Sequence, residues 1–292
     1  MFEINKLIGN TSYYSAFSNV GVIRTGDSEV VLIDTCDHPR MVKGLDRLLG
    51  AKNLSVKTAI DTHCHADHIV GNKYFQDKYG CRLLASAGER FFIENPDLEA
   101  KFYYAGIDAE KKCNPFAVVE STVPEIITAD NTPEGFEIIS LPGHSFDMIG
   151  VRTSDDVVFL ADAVLAKRTW EEHKLPFFYN INSSIATLEE IKNMKAKLFV
   201  PSHDAPTENV AELAEYNIKC MKERKELAYD ICEGLSFDGV FAAFIEGLDI
   251  RLVTSKYPMY AVMVRNFLQS LVEDKAIYAK LEDGNRLIYH RS

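Results

Sequence analysis

Residues 61–68 read Asp61-Thr62-His63-Cys64-His65-Ala66-Asp67-His68 and follow directly on the apolar run Val56-Lys57-Thr58-Ala59-Ile60. That run has the β-branched character of a buried strand, so the histidines arrive at a strand end. On extended chain, residues i and i+2 point the same way. His63 and His65 can therefore reach one ion together while Cys64 points away from it. If the chain then turns into a helix, Asp67 and His68 swing to the side and can hold a second ion. Imidazole and carboxylate are ligand types that zinc, iron and manganese accept. The bland alternative is a histidine-rich turn that binds nothing.

Working outward, three single residues follow apolar strands in the same manner: His144 in Leu141-Pro142-Gly143-His144-Ser145, Asp162 in Leu160-Ala161-Asp162-Ala163, and His203 in Val200-Pro201-Ser202-His203-Asp204. Upstream, residues 13–17, 19–23 and 30–33 predict strands. A helix should open at Pro39, bury Val42, Leu45, Leu48 and Leu49 on one face, and stop before Gly50. Residues 69–79 predict a helix and 82–85 a strand. Between 86 and 134, Pro96, Pro115, Pro124 and Pro133 break the chain into loops and short helices. Strands return at 136–141, 150–152, 157–161 and 197–200, with a helix over 184–195. Strands interleaved with helices predict an α/β fold.

The character changes after Pro206, which divides the chain into residues 1–206 and 207–292. Leu213, Tyr216, Cys220, Leu227 and Ile231 form one stripe of a long helix, ended near Gly234. A short helix over 237–246 and a longer one from Pro258 follow. Residues 277–281 and 286–289 alternate around Glu282-Asp283-Gly284-Asn285, a hairpin signal. Helix, helix, hairpin is the outline of a winged helix, a small and mostly helical unit.

The ordered set of Asp34, the H-x-H-x-D-H hexad, Gly143-His144, Asp162 and His203 resembles the metallo-β-lactamase fold superfamily, with a motif set like that of glyoxalase II. The resemblance covers residues 1 to about 206. It implies an αββα sandwich with two metals at the sheet edge. It also implies that His63, His65 and His144 hold the first metal, that Asp67, His68 and His203 hold the second, and that Asp162 bridges them. Asp34 would orient ligands rather than bind metal, or else make ordinary turn hydrogen bonds. Ala161 stands where the family commonly has glycine. Asp162 stands where the best-known antibiotic-hydrolysing group has cysteine.

Two divalent ions, zinc in the first place with iron or manganese as alternatives, would share a hydroxide that attacks an ester, thioester, lactone or phosphodiester. Asp67 could relay a proton to the leaving group. No G-x-S-x-G sequence or phosphate-cradling glycine loop offers a competing chemistry. Trp170, Phe177, Phe178 and Tyr179 follow the bridging position and could wall a substrate pocket, with core packing as the alternative. His173 reads as a surface residue.

Composition narrows the partners. The 292 residues are 47% hydrophobic and 26% charged, which excludes collagen, coiled coil and wholesale disorder. No apolar run approaches the roughly 20 residues of a membrane span. The polar start Met1-Phe2-Glu3-Ile4-Asn5-Lys6 and six cysteines without regular spacing point to a cytoplasmic protein with reduced thiols. A net charge of −11 disfavours nucleic acid. Residues 211–292 hold 11 Lys+Arg against 13 Asp+Glu, without the basic excess of a nucleic-acid module. A small-molecule substrate is expected, with the C-terminal unit serving packing, a lid or a homodimer. Two rivals are an RNA-processing hydrolase that binds through that unit, and a mononuclear iron persulfide dioxygenase.

Overall fold

Ile23, Val31, Ile33, Ile60 and Leu84 from one sheet pack against Ile149, Val151, Val157, Phe159 and Val200 from another, and this layer of branched and aromatic side chains holds two sheets face to face. The computed structural model describes residues 3–107, 115–282 and 284–292. Met1, Phe2 and Asp283, named above, and Cys113, one of the six cysteines, lie outside the described residues.

The first sheet runs in chain order: β1 (Ile4–Lys6), β2 (Thr11–Tyr14), β3 (Val20–Arg24), β4 (Glu29–Ile33), β5 (Ser55–Ile60), β6 (Arg82–Ala85) and β7 (Glu125–Ile126). Pairing is antiparallel up to β4 and parallel from β4 onward. The parallel pairs need crossovers. Helix α1 (Pro39–Gly50) makes the first, and α2 (Ala66–Ile69) with α3 (Asn72–Tyr79) makes the second. Helices α4 (Ala87–Glu94) and α5 (Pro96–Tyr103) and a 3-10 turn, Pro115–Val118, lie between β6 and β7. The outer face of this sheet buries Val20, Val22, Val30 and Leu32 under Val42, Leu45 and Leu49 of α1 and Phe75 of α3.

The second sheet comprises β8 (Phe136–Ser140), β9 (Ile149–Thr153), β10 (Val157–Ala161) and β11 (Leu198–Pro201), in the order β11-β10-β9-β8. Helices α6 (Lys167–His173) and α7 (Ile181–Asn193) connect β10 to the parallel β11. Helices outside two facing sheets give the αββα sandwich.

The C-terminal part is α8 (Ala211–Ile231), β12 (Leu235–Ser236), α9 (Phe237–Gly247), α10 (Tyr257–Glu273), β13 (Ile277–Glu282) and β14 (Arg286–Arg291). Its three strands pair in the order β12-β14-β13. Its core is continuous with the sandwich. One buried cluster runs from Val158, Leu160 and Phe199 of the second sheet, through Leu188 and Ile191, to Met221, Phe244 and Phe267. Fully burying each such side chain stabilises the fold by about 1.5–3 kcal/mol. No described helix is long and apolar enough to cross a membrane.

Four local expectations differ from what forms. The strand expected over 13–17 stops at Tyr14, because Ser18 and Asn19 turn inward to hydrogen-bond Asp67 and the carbonyls of Pro201 and Asp204. The helix expected over 69–79 splits in two around Gly71, where a Cβ would lie 2.2 Å from the Thr35 carbonyl oxygen. Gly50 is the last residue of α1 rather than its stop. In α8 the buried face centres on Ala214, Asn217, Ile218 and Met221, and most of the expected stripe forms its partly buried shoulder. The polar Asn217 can occupy that centre because all its hydrogen-bonding capacity there is met. Its Oδ1 accepts from the Leu165 backbone N–H at 3.1 Å and the Trp170 indole at 2.8 Å, and its Nδ2 donates to the carbonyls of Leu165 and Leu213.

Candidate metal centre

The seven ligand-type residues singled out in the sequence meet where the C-terminal ends of β5, β10 and β11 open between the sheets. His63, His65 and His144 form one group and Asp67, His68, Asp162 and His203 another, with the donor atoms of each group within 4.8 Å of one another. Asp162 lies between the groups. One of its oxygens is 3.3 Å from both His144 Nε2 and His203 Nε2, and the other is 3.5 Å from His68 Nε2.

Local backbone explains how each side chain arrives. His63 and His65 alternate on extended chain after β5, and His65 precedes α2, whose single turn carries Asp67 and His68. The pairing of β10 with β11 shifts register between Phe159 and Ala161. Such a bulge re-aims the residues after it. Ala161 there has φ 49, a left-handed conformation that costs a non-glycine residue roughly 1–2 kcal/mol. Asp34 and Cys36 are also left-handed, at φ 63 and 83. Backbone strain of this kind concentrates at functional sites.

Most of the imidazoles are fixed from behind, which decides the nitrogen that faces inward. His68 Nδ1 lies 2.8 Å from Asp34 Oδ2, His203 Nδ1 lies 2.9 Å from the Phe17 carbonyl, and His63 Nδ1 lies 3.1 Å from Thr62 Oγ1. His65 turns the other way. Its Nε2 lies 3.6 Å from Glu99 Oε1, and its Nδ1 is 3.0 Å from His144 Nε2.

Electrostatics separates the two groups. Burial holds His63 far below the usual histidine range, His65 at about 4 and His144 at about 3, so these three present neutral lone pairs. Burial also opposes charge on His68 and His203, but the neighbouring carboxylates outweigh it, raising His68 strongly and His203 to about 10. Burial would raise Asp67 and Asp162 as well, yet those imidazoliums hold both carboxylates well below their usual range. In the ion-free protein the second group therefore recruits positive charge from its own histidines. A cation fits the residues present. Buried His63 Nε2, His68 Nε2 and Asp162 Oδ1 face the cluster without a hydrogen-bond partner, and such orphaned groups are costly unless satisfied.

His65, Asp67, His144, Asp162 and His203 line a cleft of about 900 Å³, while His63 and His68 are fully buried. The aromatic segment divides around it. Phe177 lines the cleft, whereas Trp170 is buried on Asn217 and stacks on Phe178. Phe178 is tied into α10: its backbone N–H lies 3.1 Å from Met263 Sδ, and its carbonyl accepts Asn266 Nδ2 at 2.8 Å. Tyr179 packs outside the cleft against Phe146 and Phe102. His173 is exposed at the cleft mouth.

Sequence reasoning passed over several contributors. Tyr103, Lys256, Met259 and Tyr260 also line the cleft, the last three from the C-terminal part. Glu89 and Glu99 are buried beneath the hexad, flanking Cys64 on the side away from the cluster. No pattern in the sequence pointed to either.

A sandwich with His and Asp donors gathered at its open edge defines a class of metal-dependent hydrolases. Residues 15–203 match the family model described as the metallo-beta-lactamase superfamily, and the chain belongs to that superfamily. It is 24% identical over 203 residues to the Beta-lactamase-like protein 2 homolog of Drosophila melanogaster, covering 68% of this chain and 63% of that relative. A shorter match, 33% over 60 residues, covers 20% of this chain and 25% of a hydroxyacylglutathione hydrolase from Pelagibacter ubique. Among solved structures, a Beta-lactamase domain protein from Burkholderia ambifaria superposes with a TM-score of 0.73 at 16% identity, covering 99% of this chain and 94% of that one.

Proposed function

We propose that this protein is a binuclear metallohydrolase acting on an ester, thioester, lactone or phosphodiester of a small molecule. The observation that carries the reading is the convergence of seven His and Asp side chains in two adjoining groups, five of which line one cleft.

His63, His65 and His144 would hold one ion, Asp67, His68 and His203 the other, with Asp162 between them. Bound ions, zinc first by the donor set, would supply Lewis acidity and an activated water. The chain supplies the rest. Asp67 is the most open acid of the cluster, with its side chain 29% exposed, and Ser18 Oγ donates to it at 2.8 Å. That openness supports a role for Asp67 in relaying a proton to the leaving group. Phe177 and Tyr103, stacked 4.4 Å apart, exclude water from one wall.

Several observations favour a small substrate. The cleft has the volume of a small-molecule site. Residues 207–292 close part of it with Lys256, Met259 and Tyr260, which supports a substrate-facing role for this unit. Its order of helix, strand, helix, helix and hairpin supports reading it as a winged-helix unit. The short likeness to a hydroxyacylglutathione hydrolase supports including thioesters.

The test is metal analysis of the purified protein, followed by assay of reconstituted protein on thioester, lactone, phosphodiester and RNA substrates, with Asp162→Ala as control. Two ions per chain and turnover of a small substrate that Asp162→Ala abolishes are expected. Well under one ion per chain with no gain on reconstitution would sink the proposal. Salt-dependent retention of RNA with cleavage would replace the small substrate with a polymer.

A further inference from the structure

Glu89, on α4, is fully buried, and its carboxylate joins two segments far apart in sequence. Its Oε2 accepts the Cys64 backbone N–H at 3.0 Å, at the residue between His63 and His65. Its Oε1 accepts both the Ser145 hydroxyl and the Asp147 backbone N–H at 2.7 Å, on the loop that carries His144. Asp147 answers by accepting the Gly88 backbone N–H at 3.0 Å. One helix further on, Glu99 meets the outward nitrogen of His65. Every hydrogen bond of Glu89 thus falls on a segment bearing one of the three histidines, and none falls on Asp67, His68, Asp162 or His203.

We propose that Glu89 is a positioning residue that sets the spacing of the three-histidine site by tying the Cys64 segment to the loop that carries His144. The proposal rests on the metal-binding reading above. Its physical basis is the acceptor count. A carboxylate can take three donors on two oxygens, whereas a glutamine amide offers one oxygen and turns an NH2 toward a donor. Glu89→Gln must therefore release either the Cys64 side or the Ser145–Asp147 side. The other site has a direct support in Asp34, which contacts His68 and reaches His63 only through Thr62.

The test is stepwise zinc titration of the ion-free full chain by chelator competition, with cobalt absorption as a second readout and circular dichroism to check the fold. In Glu89→Gln, one of the two binding steps should weaken by roughly 10–100-fold while the other keeps its wild-type affinity. The cobalt spectrum of the weakened site should change. Ser145→Ala removes only one of the three bonds, and it should weaken the same step by a smaller factor, even if Glu89→Gln fails to fold. Wild-type affinity at both steps in Ser145→Ala and in folded Glu89→Gln, or equal weakening of both steps, would overturn the proposal. A wild-type chain that binds no zinc would instead overturn the proposed function.

Discussion

Asp34 Oδ2 lies 2.8 Å from His68 Nδ1 while the same carboxylate accepts the Thr62 backbone N–H at 2.8 Å, so one side chain orients a histidine and anchors the strand end that leads to the hexad. Asp34→Asn keeps the size and tolerates the left-handed backbone at this position, but it cannot serve both donors as well. Zinc affinity at the Asp67–His68–His203 site should fall about 10–100-fold, with hydrolysis falling in parallel. Chelator competition and a rate assay on the same preparations check this, and unchanged affinity would count against the orienting role.

Gly143 sets the approach of His144. It has φ 129, and a Cβ there would lie 2.4 Å from both the backbone nitrogen and the hydroxyl of Ser184 on α7. Gly143→Ala must move the loop or the helix, at a cost of about 1–3 kcal/mol. The expected outcome is a lower melting temperature of the ion-free protein together with reduced metal content. A variant with native values of both would show that the loop adapts.

The site was legible where chemistry and periodicity coincide. His63 and His65 sit two apart on extended chain, and His144, Asp162 and His203 each follow an apolar strand, so local pattern announces them. Glu89 and Glu99 were not legible, because an acidic residue on a short helix reads as solvent-facing unless the donors it meets are known. Those donors lie on distant loops. The aromatic segment was legible as important but not in its division, since only the register of 177 against α10 decides which ring faces the cleft. Asn217 hid for a related reason: its polarity argues for surface until the Leu165 backbone and the Trp170 indole are placed around it.

Asn217 provides a stability test. Asn217→Leu would strand the Trp170 indole N–H and the Leu165 backbone groups in a dry interior, at a cost of about 2–4 kcal/mol. Trp170 is the single tryptophan, so its fluorescence reports the unfolding directly. A loss below about 1 kcal/mol in denaturant titration would mean that the neighbourhood repairs itself.

Asp46 governs part of the acid sensitivity. On α1 it accepts hydrogen bonds from Tyr74, Tyr79 and Lys78 at 2.9, 2.6 and 2.6 Å. Burial pushes its carboxyl up, but these three donors together hold it below the usual value. A depressed native value means that the contribution is complete above the unfolded pKa of about 3.9 and is lost as pH falls through the lower native value. Asp46→Asn should therefore destabilise the protein by about 1–3 kcal/mol at pH 7. The gap from wild type should narrow below pH of about 4, as read from denaturant melts at both pH values. A gap independent of pH would show that charge plays no part.

Phe177 and Phe178 are chain neighbours with opposite surroundings, one ring in the cleft and the other stacked on Trp170, with the Phe178 backbone held by Met263 and Asn266 of α10. Because the two share a backbone, a change in the bulk of Met263 moves the wall that a substrate meets. The helix that shapes the opening carries none of the seven ligand-type residues. Substrate preference can therefore drift through substitutions on α10 while the reaction centre is left alone, which makes the C-terminal helix a natural place to begin retuning the enzyme.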